Sequence, residues 1–228
     1  MARLLGSLRE AGAHEQAAAL LRRDPAAHSA LDDLGGAARL VLGLRMARCH
    51  DQADALAARA AAHAPLDDPG NVAELLGRLR VAGCHDQAAA LAARAAAHAP
   101  LDNPGNVAEL LGSLREAGAH EQAAALLARD PAAHAALDDP LGLIVLLASL
   151  RKAGAHDQAT ALTNRLPAVG MFELFLEQEG LAEQFRFGRE ADGTPATPWG
   201  WEDLDLGLVP RLRLLRGEPH RPSGPTPA

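Results

Sequence analysis

The chain has 228 residues, 22 basic and 29 acidic side chains and a net charge of −7, enough for one or two ordinary domains with a substantial core. Hydrophobic residues make up 48% but aromatics only 3%, so the interior must be built from alanine, leucine and valine. The acidic balance gives no general pull toward nucleic acid, and no apolar run reaches the roughly 18–20 residues that span a bilayer.

The start, "MARLLGSLREAG", lacks the long apolar stretch of a signal peptide. A cytoplasmic location is therefore expected, and Lys152 as the sole lysine suggests a GC-rich bacterial genome. The first predicted pair of helices ends in "RDPAAH". Proline inside a helix removes a hydrogen bond and clashes with the preceding turn. The second helix is therefore expected to break there and restart with Asp24 as cap and Pro25 in first position.

That pair then recurs. His14, His50, His85, His120 and His156 form one row with steps of 36, 35, 35 and 36 residues, and His28, His63, His98 and His134 form a second. Self-similarity at this period is the signature of a repeat architecture. The second unit carries Arg48 where its sisters have the glycine between the helices. In the third, "NVAELLGRLRVAG" puts Val72, Leu75, Leu76 and Leu79 on one helical stripe. Asn71 with Glu74 has the form of a capping box, and Asp68-Pro69 offers an earlier start. Gly83 supplies the left-handed residue that ends the helix.

The next stretch, "VAGCHDQAAALAARAAAHAP", aligns His85, Ala88, Ala89, Ala92, Ala95 and Ala96 on one face. Alanine there favours the helix and lets neighbours approach closely. Such helices are marginal alone, so stability must come from stacking. The fourth unit nearly repeats the first: Gly6–Asp33 matches Gly112–Asp139 except at Arg22/Ala128 and Ser29/Ala135. It repeats the break at Asp130-Pro131, and Pro167 occupies the same slot in the fifth.

The pattern resembles the tetratricopeptide repeat superfamily over about residues 1–170. With Gly83 at the family's inter-helix glycine, Leu75, Leu76 and Leu79 fall at its helix-one packing positions, Ala88 and Ala95 at its small helix-two positions and Pro100 at its terminal proline. The period is 35–36 rather than 34, the family's aromatics are absent, and "AG…A…L…PLD" is also similar to pentatricopeptide repeats. The resemblance implies an all-α, right-handed superhelix of about five helix pairs.

After Gly170 the composition changes. Phe172, Phe175, Phe185, Phe187, Trp199 and Trp201 are all the large aromatics of the chain. "MFELFLEQEG" reads as a short amphipathic helix, and Asp192-Gly193 as a turn signal. Residues 171–215 are expected to cap the repeats, or to serve as a docking or dimerisation element, and 216–228 to form a disordered tail.

His85 and His98 lie about 20 Å apart on one helix at ~1.5 Å rise per residue and cannot share a zinc ion. Cys49 and Cys84 are replaced by Ala13, Ala119 and Ala155 in sister units, which points to a small buried position. There is no phosphate loop, GxSxG or HExxH. No metal, cofactor or catalytic activity is expected.

Two arginine rows are the most informative polar feature. Arg9, Arg45, Arg80, Arg115 and Arg151 stand near the end of each first helix; Arg23, Arg59, Arg94, Arg129 and Arg165 stand late in each second helix. In proteins the chain resembles, the face carrying Ala73, Gly77 and Arg80 lines the concave groove. One guanidinium per unit there suits an extended acidic peptide. The competing reading is internal pairing with Glu15, Asp51, Asp86, Glu121 and Asp157 or the helix dipole. The reading favoured is a non-enzymatic protein-interaction module, using the groove or the aromatic segment. Self-association through the N-terminal repeat face is a further possibility. Single-stranded RNA binding is the alternative, but the base-reading positions implied by the pentatricopeptide likeness hold Ala2, Ala38, Ala73, Ala108 and Ile144.

Overall fold

The computed structural model describes Ser7 and residues 11–31, 33–178 and 180–198. Arg9, Ala2, Trp199, Trp201 and the expected tail lie outside the described residues. Contacts divide the chain into two units, Met1–Phe172 and Glu173–Ala228. Regular structure among the described residues is helical, with one isolated antiparallel bridge.

In the first unit the helices are α1 His14–Leu21, α2 Pro25–His28, α3 Leu34–Met46, α4 His50–His63, α5 Pro69–Val81, α6 His85–His98 and α7 Pro104–Glu116. They continue with α8 His120–Ala128, α9 Pro131–His134, α10 Pro140–Lys152 and α11 His156–Arg165. Within hairpins, α3 packs on α4, α5 on α6, α7 on α8 and α10 on α11. Between hairpins, α3 packs on α5, α5 on α7 and α7 on α10, while α4 packs on α6 and α6 on α8.

The start of α5 decides between the two caps offered by the sequence. Asp68 Oδ1 accepts from the N–H groups of Gly70 (2.9 Å) and Asn71 (3.2 Å), and Pro69 opens the helix. Pro69 wins because its fixed φ is already helical and it has no N–H to leave unpaired. Glu74, freed from capping, pairs with Arg78 at 2.7 Å. Asn103 with Pro104 starts α7 in the same way.

Leucines of the first helices and one leucine from each second helix fill the core. Leu75, Leu79, Leu110 and Leu114 are fully buried, as are Leu56, Leu91, Leu126 and Leu162. The buried stripe of α6 is Ala88, Leu91, Ala92, Ala95 and Ala96; His85 and Ala89, expected on it, are exposed. The stripe is centred on Leu91, so residues at its edge turn to solvent. At the start of α10 the approach is so close that a Cβ on Gly142 would lie 2.9 Å from the Gly105 nitrogen of α7.

Asp24 and Asp130 break the second helices where expected, and each caps the restarted turn, accepting from Ala27 and Ala133 N–H. Both caps adopt left-handed backbone, φ 48° and 53°. In an unbroken helix the Leu21 carbonyl would accept from residue 25, and Leu127 from residue 131, but proline offers no donor. Each carbonyl instead accepts from the main-chain N–H three residues on, Asp24 at 3.1 Å and Asp130 at 3.0 Å, and also from a side-chain amide of the next hairpin, Gln52 Nε2 at 3.0 Å and Gln158 Nε2 at 2.7 Å. The short α2 packs on α4 and α9 on α11. Around Pro167 the chain forms a 3-10 turn, Leu166–Val169.

A left-handed residue stands just before each second helix: Gly12, Gly83, Gly118 and Gly154 have φ between 68° and 78°, and Arg48 takes the same place at φ 60°. The hydrogen bonds are also the same, Arg48 N–H to Arg45 C=O and Cys49 N–H to Leu44 C=O. A side chain in this conformation costs roughly 1–2 kcal/mol, partly offset by the extra freedom glycine has when unfolded. Arg48→Gly is therefore expected to raise stability by about 0.5–1 kcal/mol, seen as a higher urea midpoint; an unchanged midpoint would show that the turn carries no strain.

In the second unit, α12 Phe172–Leu176 begins in the last residue of the first, and α13 Leu181–Gln184 follows. Phe175 and Phe185 meet edge to face at 5.0 Å, and the Arg189 guanidinium stands 5.6 Å from the Phe175 ring centre. Phe187 is exposed, with Arg186 over its ring. Asp192-Gly193 makes a minimal hairpin, with Glu190 N–H to Thr194 C=O at 2.8 Å and Ala196 N–H to Gly188 C=O at 3.0 Å. The Thr194 N–H and hydroxyl both reach Asp192 Oδ1 and hold its carboxyl below the ordinary range.

Candidate functional site

Four of the five arginines of the second row make one repeated contact, while Arg23 is exposed. Arg94 donates to the carbonyls of Ala61 (2.5 Å) and Ala64 (3.0 Å), and Arg129 to those of Ala96 (3.0 Å) and Ala99 (2.7 Å). Arg59 reaches Ala27 and Ser29, and Arg165 reaches Ala132 and Ala135. Each guanidinium thus closes the end of the second helix of the preceding hairpin, where carbonyls lack helical donors and a cation meets the negative end of the dipole. The acids considered as partners from sequence, Glu15, Asp51, Asp86, Glu121 and Asp157, are all exposed and form no ion pair among the described residues.

The first row is not uniform. Arg45 is tied down: Nη2 lies 2.5 Å from Asp54 Oδ1 and 3.3 Å from Cys84 Sγ, and Nη1 donates to His50 Nδ1 at 3.0 Å. The buried Cys84 sulfur, then against it the cost of burial, then Asp54, shape its acidity, and the net effect holds the guanidinium above its ordinary value. Cys84 thus occupies a small buried position, while Cys49 is only half-buried. Arg80 Nη2 donates to the Glu116 carbonyl at 2.8 Å. Arg115 is half-buried with no hydrogen bond or ion pair among the described residues, and Arg151 is exposed.

Two clefts flank α7. Between α5 and α7 lies a shallow one of about 480 Å³, whose walls include Ala73, Gly77, Glu109, Gly112 and Glu116. Between α7 and α10 lies one of about 250 Å³, lined by Leu111, Gly112, Arg115, Glu116, Ser149 and Lys152. Gly112 and Glu116 line both, so the two clefts adjoin along one helix. The first cleft is acidic, because Arg78 is paired with Glu74 while Glu109 and Glu116 form no ion pair among the described residues; the second has Arg115 and Lys152 beside Glu116.

Sequence reading passed over Lys152 and Glu116. Their signal is a break in the repeat: Lys152 stands at the register where the sister helices have Glu116 and Val81. Gln52 and Gln158 carry a weaker one, since all five units share that glutamine and only two follow a proline-broken helix. Among the described residues, no group of three or more His, Cys, Asp or Glu comes together, and no helix is long and apolar enough to cross a membrane.

No protein-family model, curated protein or solved structure matches the chain. What the fold defines is an all-α protein whose helices pack in succession against their neighbours.

Proposed function

We propose that the chain is a non-enzymatic, cytoplasmic protein-interaction module: a right-handed, tetratricopeptide-like solenoid of five helix pairs, binding a partner peptide in the cleft over α7. One observation carries this reading. Gly43, Gly77 and Gly112 sit inside the first helices of three successive units, and a Cβ at any of them would meet nothing within 4 Å. Glycine inside a helix costs about 0.8–1 kcal/mol relative to alanine, so the fold gains nothing from their smallness. Open space beside an unpaired Arg115 suits a bound main chain with a carboxylate near it.

Gly77→Ala and Gly112→Ala are each expected to stabilise the chain by roughly 0.5–1 kcal/mol, measured by chemical denaturation. To test the function, peptides selected on the whole chain from a random display library would be titrated by fluorescence anisotropy. Enrichment in acidic side chains is expected, with at least a roughly tenfold weaker Kd for Arg115→Ala and for Gly112→Leu. Unchanged affinity in both variants would move the candidate to the aromatic segment. Single-stranded RNA has less support, since Ala38, Ala73 and Ala108 at its reading positions are buried and apolar; an oligouridine titration that fell steeply with salt would revive it.

A further inference from the structure

The outer side of α10 breaks the pattern of its sister helices. Where α5 and α7 have Gly70 and Gly105, Ala73 and Ala108, and Glu74 and Glu109, α10 has Leu141, Ile144 and Val145. In the sisters the middle position is covered by the next first helix, leaving Ala73 9% and Ala108 2% exposed. In α10 the replacements are larger and apolar, yet Leu141 is 75% exposed, Ile144 44% and Val145 47%. Ala148 continues the stripe and is also exposed, so the ridge follows positions i, i+3, i+4 and i+7 of one helical face.

The two ends of this ridge carry opposite charge. Asp138 and Asp139 are exposed just before α10, and Arg151 and Lys152 are exposed in its last turn. Ile144 and Val145 lie near the middle of the thirteen-residue helix. A second copy of the same helix running the opposite way would bring the apolar centres together. It would also set each acidic end against a basic end and align the two dipoles favourably. From this self-complementarity we infer that the chain forms a two-fold homodimer through antiparallel α10 helices. Of the α10 residues that line the cleft with Arg115, Ser149 lies outside the ridge and Lys152 is shared with its basic end; the inference does not rest on the proposed peptide binding.

The test is sedimentation of the full chain from low micromolar to hundred-micromolar concentration. A reversible monomer–dimer equilibrium is expected, weakened by salt because the paired ends are solvent-accessible. Ile144→Glu is expected to weaken the dimer at least roughly tenfold, with an unchanged circular dichroism spectrum. The charge variants Asp138→Lys/Asp139→Lys and Arg151→Glu/Lys152→Glu should each dimerise less well alone, and a mixture of the two should associate again. A wild-type monomer throughout the range overturns the inference, the ridge then being covered by another part of the chain or by a different protein. A dimer that Ile144→Glu leaves intact overturns it equally, by placing the interface elsewhere.

Discussion

Leu110→Ala is expected to lower stability by about 3 kcal/mol, within the range of roughly 2–5 seen when a buried leucine is cut to alanine. Leu110 is fully buried in α7, which packs on α5, on α10 and on α8. The size of the effect turns on whether neighbours can close the cavity. Here they cannot move far. Ser113 of α7 donates to the Ala73 carbonyl of α5 at 3.2 Å, and Asn106 Nδ2 to Asp68 Oδ1 at 2.9 Å, so the α5–α7 spacing is held by polar contacts along its length. On the other side, the α7 and α10 backbones are so close at Gly105 and Gly142 that a Cβ on Gly142 would lie 2.9 Å from the Gly105 nitrogen. Urea denaturation of the whole chain reads the loss as a lower midpoint at constant slope. Leu141→Ala, on the exposed side of α10, is the control and should change stability by no more than about 0.5 kcal/mol. A loss below about 1 kcal/mol for Leu110 would mean that the first helices slide together to fill the space.

The hairpins themselves were legible because their signals are local. The histidines at the helix boundaries, the glycine or Arg48 that follows each first helix and the Asp-Pro break each act over four or five residues, and the structure places them where the sequence puts them. What could not be read was which local option wins and what lies across the seam. Asn71 and Asp68 are both good caps, and only the proline between them decides. The left-handed backbone of Asp24 and Asp130 has no signature beyond the proline that follows. Arg45 and Arg115 share a register but not an environment, because Asp54 and Cys84 lie opposite Arg45 while the residues at the same register relative to Arg115, Ala124 and Ala155, have no side-chain acceptor. The aromatic segment was legible as a change of composition, yet its hairpin is held by bonds that Gly188 and Glu190 make with Ala196 and Thr194, and Trp199 and Trp201 lie outside the described residues.

The second arginine row marks the limit most clearly, and it makes the second large prediction. Sequence offered nearby acids or the arginine's own helix dipole as its purpose. The contact is instead with carbonyls 30 and 33 residues earlier, a little less than one period, so each arginine reaches one hairpin back. Arg129→Ala is expected to cost about 2 kcal/mol. Hydrogen bonds to a charged group contribute roughly 1.5–3 kcal/mol each, and half-burial of this one reduces the sum of two. The acceptors Ala96 and Ala99 sit where α6 gives way to the Pro100 turn, so their carbonyls have no helical N–H to replace the loss. Arg129→Lys should recover less than half, since an ammonium lacks the planar fork that spans two carbonyls. Hydrogen exchange at residues 99–102 should quicken in both variants. Arg115→Ala, which breaks no side-chain hydrogen bond or ion pair among the described residues, should leave the urea midpoint unchanged. If the two alanine variants cost the same, the guanidinium contact contributes nothing, and the seam between second helices rests on leucine and alanine packing alone.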